Sequence, residues 1–391
     1  MSTIQPESLA DVYANVKTAY AEYFKAEPQF LASAPGRVNI IGEHIDYNGG
    51  MVLPAAIECG MGAAFSPNGN SLVRIWDARY QSLAEIDFSK PMAPEKGSWE
   101  NYIKGVLAEL KVAGVAVKGF DACIYSTIPM GGGLSSSAAL EALIATINEA
   151  VTGRTLDPVD KSVICQRAEH NYAGVPCGIM DQMAVICSKA DHLLLINCKD
   201  NSSELVPFTN PNLGILVIDS KVHHSLADGA YKQRRDGCEK IASMFNVDTL
   251  GDLTMDQYEA LLPKVPVELQ PLFRHVMTEI DRTARAVELL RKGNYVAFGK
   301  LLEQSHESLR RDYKVSCDEL DFIVDTLQPL DGVYGCRMTG GGFGGSTIAL
   351  VEKSKAESIA AIIRKVYSEK FGQEPGVFLT SPMNGASYQA L

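Results

Sequence analysis

No stretch of this chain is an unbroken apolar run of the roughly 20 residues a helix needs to cross a bilayer, which excludes a helical membrane span. The N-terminal residues lack the basic-then-apolar layout of a secretory signal. The nine cysteines are scattered, odd in number and include no CxxC pair. Together these absences lead us to expect a cytoplasmic protein with reduced thiols, most of them small buried hydrophobes. Basic residues are also short: 36 Lys and Arg against 47 Asp and Glu give a formal net charge of −11. That balance argues against nucleic acid or an anionic membrane as the main partner. An anionic small molecule stays open, because a few arginines, a bound cation or backbone N–H groups can make a locally positive site. Internal repeats and low-complexity tracts are missing too.

What is present reads as a mixed fold. A length of 391 residues suggests two domains, or three. Leu9, Val12, Val16, Tyr20 and Phe24 recur at helical spacing and predict an amphipathic helix. Strand-like runs occur at 71–78, 120–128, 192–198 and 214–220. Helical patterns cover 135–151, 158–173, 231–245 and 274–313, the last broken at Gly293-Asn294. The second has strong start chemistry, with Asp157 as N-cap, Pro158 at the first position and Asp160 in the first turn. No regular βαβα rhythm runs through these elements, so the expected class is α+β. The Pro, Asn and Gly content of VPFTNPNLG marks a boundary, giving domains at 1–210 and 211–391.

Three glycine-rich stretches need an explanation. Residues 130–140 read MGGGLSSSAAL, between the strand-like FDACIYSTI and an apolar helix. Strand, glycine loop and helix in that order aim unpaired amides and the helix dipole at an anion. The stretch is neither a Walker A loop nor a dinucleotide fingerprint. Taken alone, it fits equally a capped helix after a flexible turn. The second, RMTGGGFGGS at 337–346, holds five glycines in six positions, more than a hairpin turn requires. Close packing against another backbone or a ligand is the natural account, with an unusual bend as the alternative. The third, SAPGRVNIIGEHIDYNGGMVLPAAI at 33–57, crowds Arg37, Glu43, His44 and Asp46 into ten residues. Metal ligation is the weaker reading, since no second His or Cys cluster stands at ligand spacing. Carboxylates and imidazole suit sugar hydroxyls, which both donate and accept. A polar turn after a short strand remains the plain alternative.

Together these stretches resemble the three motifs of the GHMP small-molecule kinases, and among them the galactokinase family, animal-type members above all. GRVNIIGEHIDYNGG at 36–50 resembles the galactokinase signature. PMGGGLSSSAALE at 129–141 resembles the phosphate loop, RMTGGGFGGSTIAL at 337–350 the third motif, and CGIMDQM at 177–183 the stretch with the catalytic aspartate. The resemblance covers nearly the whole chain. It implies a two-domain fold, ribosomal-protein-S5-like at the N-terminus and ferredoxin-like at the C-terminus, with the site in the cleft between.

The resemblance also implies ATP-dependent phosphorylation of the C1 hydroxyl of galactose, with Mg²⁺. Asp181 and Arg37 would then be catalytic, and Asp181, which opens the apolar run IMDQMAVI, is expected near a helix start. Glu43, His44, Asp46, Gly178 and Tyr231 would complete the sugar pocket. Gly131, Gly132, Gly133, Leu134, Ser135, Ser136 and Ser137 would cradle the triphosphate, and Trp99 and Tyr102 would line the adenine pocket unless they are ordinary core aromatics. Ser136 and Glu169 would hold the metal. The expected partners are small molecules, with no nucleic acid and no membrane, and the chain is expected to act as a monomer. Two positions depart from the family pattern: Ile45 stands where threonine is usual, and Ser346 where cysteine is common. Rival readings are an N-acetylgalactosamine kinase, another GHMP kinase, which leaves EHIDYN unexplained, and a non-catalytic sensor of galactose and ATP. The intact Ser135, Ser136 and Ser137, with Arg37 and Asp181, speak against the sensor.

Overall fold

In the computed structural model, which describes residues 4–223 and 227–391, the helix expected near the N-terminus spans Leu9–Phe24. The Ser8 hydroxyl accepts a hydrogen bond from the Asp11 amide, which satisfies one free donor of the first turn. Val12, Val16 and Tyr20 are buried on one face, as their spacing requires, while Leu9 stays exposed.

Among the described residues, thirteen strands make three sheets. In chain order they are β1 Phe30–Asn39, β2 Met51–Val52, β3 Pro54–Pro67, β4 Leu72–Asp77, β5 Ser82–Asp87, β6 Phe120–Ser126, β7 His192–Asn197, β8 Ser202–Pro207, β9 Leu213–His223, β10 Val333–Thr339, β11 Gly344–Glu352, β12 Gly376–Thr380 and β13 Ser387–Ala390. The first sheet has the order β13-β1-β3-β6-β4-β5, with β4 and β6 its one parallel pair. The second is antiparallel throughout, in the order β10-β11-β9-β12, and the third is β2-β7-β8. This is an α+β fold, as expected.

Alternation along the strands builds the layers. In the first sheet, Ala64 and Cys123 face helix Leu9–Phe24, while Ala63, Phe65 and Ala122 face helix Ser136–Thr152. That second helix is buried almost all round, which accounts for its nearly continuous apolar sequence. In the second sheet, Leu216 and Ile218 pack on helices Asp318–Leu327 and Ala356–Phe371, whereas Ile215 and Val217 turn to Phe298, Leu301 and Leu302 of helix Tyr295–Ser308. The two ends of the chain cross between sheets. Ile4 is buried in the core of the second sheet, its carbonyl accepting from the Leu379 amide at 2.7 Å, and β13 pairs with β1 of the first.

Several expectations shift in detail. The pattern at 158–173 is an α-helix, Pro158–Ala168, followed by one π turn, Glu169–Ala173. The pattern at 274–313 divides into Gln270–Arg291, Tyr295–Ser308 and a π turn, Leu309–Tyr313. The stretch 33–57 is mostly strand, and its polar centre is a single 3-10 turn, Asp46–Asn48. All nine cysteines are unpaired, five of them buried. Among the described residues no helix is long and apolar enough to cross a membrane.

Candidate active site

A cavity of about 600 Å³ opens where the end of β1, the turn between β10 and β11 and helix Met180–Cys187 converge. Arg37, near the end of β1, is its deepest cation, with its side chain only 5% exposed. Arg37 Nε and Nη2 each donate to one oxygen of Asp181 at 2.7 Å, and Nη1 donates to the Gly133 carbonyl at 2.7 Å. One guanidinium thus ties the candidate base to the glycine loop. Burial works against the charge of Arg37, yet Asp181 beside it holds the pKa above its ordinary value. Asp181 lies in the first turn of helix Met180–Cys187, where the dipole favours a carboxylate. Its Oδ2 also accepts from the Ser135 hydroxyl.

The signature residues divide into two groups. His44 and Asp46 line the cavity together with Gly178 and Tyr231. The imidazole of His44 lies 2.9 Å from the Tyr47 hydroxyl and 3.2 Å from the Gly341 carbonyl. Burial, helped by His275, lowers its pKa to about 3, so it is neutral. Burial, and then the charge of Asp181, raises Asp46 to about 7. Glu43 also reaches the cavity wall, but its Oε1 accepts the Gly340 amide at 2.7 Å and faces Arg337 Nη1 at 3.5 Å. It therefore braces the signature against the third motif. Burial raises its pKa, opposed by Arg337 and Arg37.

The glycine-serine loop leads into helix Ser136–Thr152. Gly131, Gly133 and Ser135 have positive φ, and Gly132 and Leu134 between them do not. Such alternation turns successive N–H groups into a concave anion-binding row. Ser136 opens the helix, and the Ser137 hydroxyl bonds to Glu169. The loop does not line the 600 Å³ cavity but adjoins it through Arg37 and Asp181. Trp99 and Tyr102 pack half-buried against the core at the start of helix Glu100–Val112, away from that cavity. The glycines of the third motif have a packing reason. A Cβ on Gly340 would meet the Gly133 carbonyl at 2.8 Å, and one on Gly345 the Gly132 carbonyl at 3.2 Å. Two backbones touch there, and side chains would hold them apart.

Glu169 stands at the head of a π turn, a distortion common at functional sites. Burial, and then the charge of Asp181, raises it to about 7, and burial likewise pushes Glu141 next to it well above the ordinary carboxylate value. Glu141 Oε1 and Gln182 Oε1 are buried without partners. Carboxylate and amide oxygens are the hard donors that suit a divalent cation such as Mg²⁺, although no group of three or more His, Cys, Asp or Glu side chains is placed to hold a metal among the described residues.

Sequence reasoning missed Arg337, fully buried, whose Nη1 donates to the carbonyls of Asn39 and Ile40. It missed His275, which bonds the Glu43 carbonyl at 3.1 Å, and Tyr313, whose hydroxyl lies 2.8 Å from that of Tyr47. Arg337 opens the third motif and could have been noted as a cation entering a glycine loop; the other two carry no local signal. Ile45 is fully buried in an apolar cluster with Val52, Met183 and Ile196, and turns away from the cavity.

Comparison with known proteins agrees with this geometry. The family description "Galactokinase galactose-binding signature" matches residues 18–67, "GHMP kinases N terminal domain" 101–189 and "GHMP kinases C terminal" 286–369. A galactokinase of Homo sapiens is 40% identical over 398 residues, covering 100% of both chains. One of Bos taurus is 41% identical over 370 residues, covering 93% of this chain and 94% of its own. The crystal structure of Lactococcus lactis galactokinase complexed with galactose superposes with a TM-score of 0.92 at 31% identity, covering 96% of this chain and 99% of that one. A mevalonate kinase, at 18% identity and a TM-score of 0.65 over 90% of this chain and 99% of its own, shares the fold. With its signature cavity, glycine loops and full-length relatives all in agreement, the chain belongs to the galactokinase family of the GHMP kinases.

Proposed function

We propose that the chain transfers the γ-phosphoryl group of ATP to the C1 hydroxyl of α-D-galactose, yielding galactose 1-phosphate and ADP. The observation that carries this reading is the Arg37–Asp181 pair, which joins the sugar-facing cavity to the glycine loop within one set of hydrogen bonds. Phosphoryl transfer leaves little covalent work to a protein, so positioning and charge decide the rate. Asp181 accepts the hydrogen bond of the C1 hydroxyl and takes its proton as that oxygen bonds to the γ-phosphorus and the bond to ADP breaks. Arg37 holds the carboxylate in place through its two hydrogen bonds.

His44 and Asp46 orient the sugar hydroxyls, with Tyr231 and the backbone at Gly178 closing the pocket. A neutral His44 both donates and accepts, which suits a hydroxyl. Glu43 supports the pocket by holding Gly340. Gly131 to Ser137 hold the phosphates through their N–H row, and Trp99 and Tyr102 border the base. Ser136 and Glu169 are the residues to hold Mg²⁺, which when bound neutralises charge on the β- and γ-phosphates.

The domain boundary falls at 210/211, a reading supported by β8 ending at Pro207 in the third sheet and β9 starting at Leu213 in the second. Action as a monomer on small molecules in the cytoplasm belongs to the same proposal. The test is ADP release from ATP and magnesium chloride with galactose, glucose, talose and N-acetylgalactosamine in parallel. Release with galactose and phosphate found on C1 is expected. Release that prefers another sugar, or galactose binding without release, overturns the reading.

A further inference from the structure

Two successive carbonyls of the phosphate loop are firmly held, and the Gly132 amide is turned back to the Pro129 carbonyl at 3.2 Å. Ser346 Oγ, fully buried on β11, donates to the Gly132 carbonyl at 2.6 Å. The next carbonyl, Gly133, accepts from Arg37 Nη1 at 2.7 Å. Two consecutive peptides are therefore pinned, one from the second sheet and one from the first. A trans peptide is planar, so its C=O and N–H point in opposite directions. Fixing the Gly132 carbonyl against β11 turns the Gly133 N–H outward, into the concave row made by the alternating φ signs of residues 131–135.

The anchor is itself anchored. Ser346 is paired with Asp219 in the ladder between β11 and β9. Its neighbour Gly345 accepts from the buried Ser220 hydroxyl at 2.7 Å. Because Gly345 has no side chain, β11 comes close enough to the loop for the bond to form. Glycine loops lose more backbone freedom than any other segment when a ligand orders them. A loop already held in its binding shape loses less on meeting its ligand.

We propose that Ser346 is a positioning residue for the nucleotide: its hydroxyl sets the Gly132–Gly133 peptide so that the loop meets the phosphates of ATP ready-formed. The inference rests on the reading that residues 131–137 hold those phosphates. Without the hydroxyl, the Gly132 carbonyl loses its partner and the peptide is free to rotate. The sugar side of the cavity is tied through Glu43 to Gly340 and through His44 to Gly341, bonds that do not involve the Gly132 carbonyl.

The experiment measures KM for ATP, in excess magnesium chloride, and KM for galactose in wild type, Ser346→Ala, Ser346→Cys and Gly133→Ala, with a thermal melt of each. Ser346→Ala is expected to raise the ATP KM about tenfold and leave the galactose KM within about twofold. Ser346→Cys, with a longer and weaker donor, is expected to restore part of the loss, leaving about a threefold rise. An unchanged ATP KM in Ser346→Ala, or equal rises in both constants, overturns the proposal. If the alanine variant does not fold, Ser346→Cys decides alone: a rise confined to ATP supports the role and none refutes it. Gly133→Ala strains the loop directly at φ 68°. A rise in ATP KM there without one in Ser346→Ala refutes the role of Ser346 alone; no rise in either refutes the loop's role as well.

Discussion

Asp46 and Gly178 share one space: a Cβ at residue 178 would lie 1.9 Å from Asp46 Oδ2. The carboxylate reaches the cavity only because residue 178 has no side chain. Gly178→Ala is therefore expected to push Asp46 aside and raise the galactose KM by on the order of tenfold to a hundredfold. The ATP KM should hold, because Asp46 has no contact with the glycine-serine loop. Steady-state kinetics with each substrate varied in turn gives the answer, and a shift in ATP KM alone contradicts it.

Asp181 has Arg37 on two sides of its carboxylate and Ser135 on a third. Asp181→Asn keeps its shape and removes its basicity. The variant should fold, bind ATP and lose about a hundredfold to ten-thousandfold in kcat, and Asp181→Ala should behave alike. ADP release alongside calorimetric ATP binding separates lost chemistry from lost binding. Near-wild-type turnover removes Asp181 from the mechanism.

Arg37→Lys tests the bridge between base and loop. A lysine keeps the charge but cannot span both Asp181 oxygens and the Gly133 carbonyl. A fall in kcat and a rise in ATP KM, each about tenfold, are expected together. A change confined to kcat means that the Gly133 bond contributes nothing to nucleotide binding.

Burial, reinforced by Asp181, raises the pKa of Asp46 from 3.8 to about 7 in the folded chain. The protonated form therefore stabilises the fold. That contribution is complete below the unfolded value of 3.8 and is lost as pH rises through about 7. Relative to Asp46→Asn, the ligand-free wild type should lose about 1–3 kcal/mol of stability between pH 5 and pH 8. Urea unfolding of both proteins at the two pH values measures the difference, and a constant gap refutes the raised pKa.

Ile45→Thr restores the residue usual in the family and places a hydroxyl in the apolar cluster around Val52 and Met183. A loss of about 1–3 kcal/mol in unfolding stability is expected, with sugar selectivity unchanged because the side chain faces away from the cavity. Changed preference among galactose, glucose and talose shows that this position reaches the sugar.

Much of the site could be read from local sequence. The order of strand, glycine loop and helix around 130–140 and the capped start at Asp157-Pro158 are short-range signals, and both became the structures they indicate. The signature 36–50 was legible as chemistry and as a polar turn after a strand, but the extent of β1 was not, because that strand is covered on both faces and so lacks the alternation of a half-exposed one. Helix Pro158–Ala168 could be placed, but the π turn that gives Glu169 its setting could not, since its partners Ser137 and Gln182 lie on other helices.

The amino-acid order by itself determined which residues carry chemistry: glycines that free backbone amides, a carboxylate at a helix start, an arginine inside a signature. Only the tertiary structure decided their roles toward one another. Glu43 turned to Gly340 across 297 residues, Arg37 to Asp181 across 144 and Ser346 to Gly132 across 214. Bonds over such separations leave no period in the local sequence, for they depend on how two sheets meet. Where the sheets meet, a hydroxyl that could serve anywhere becomes the support of one peptide.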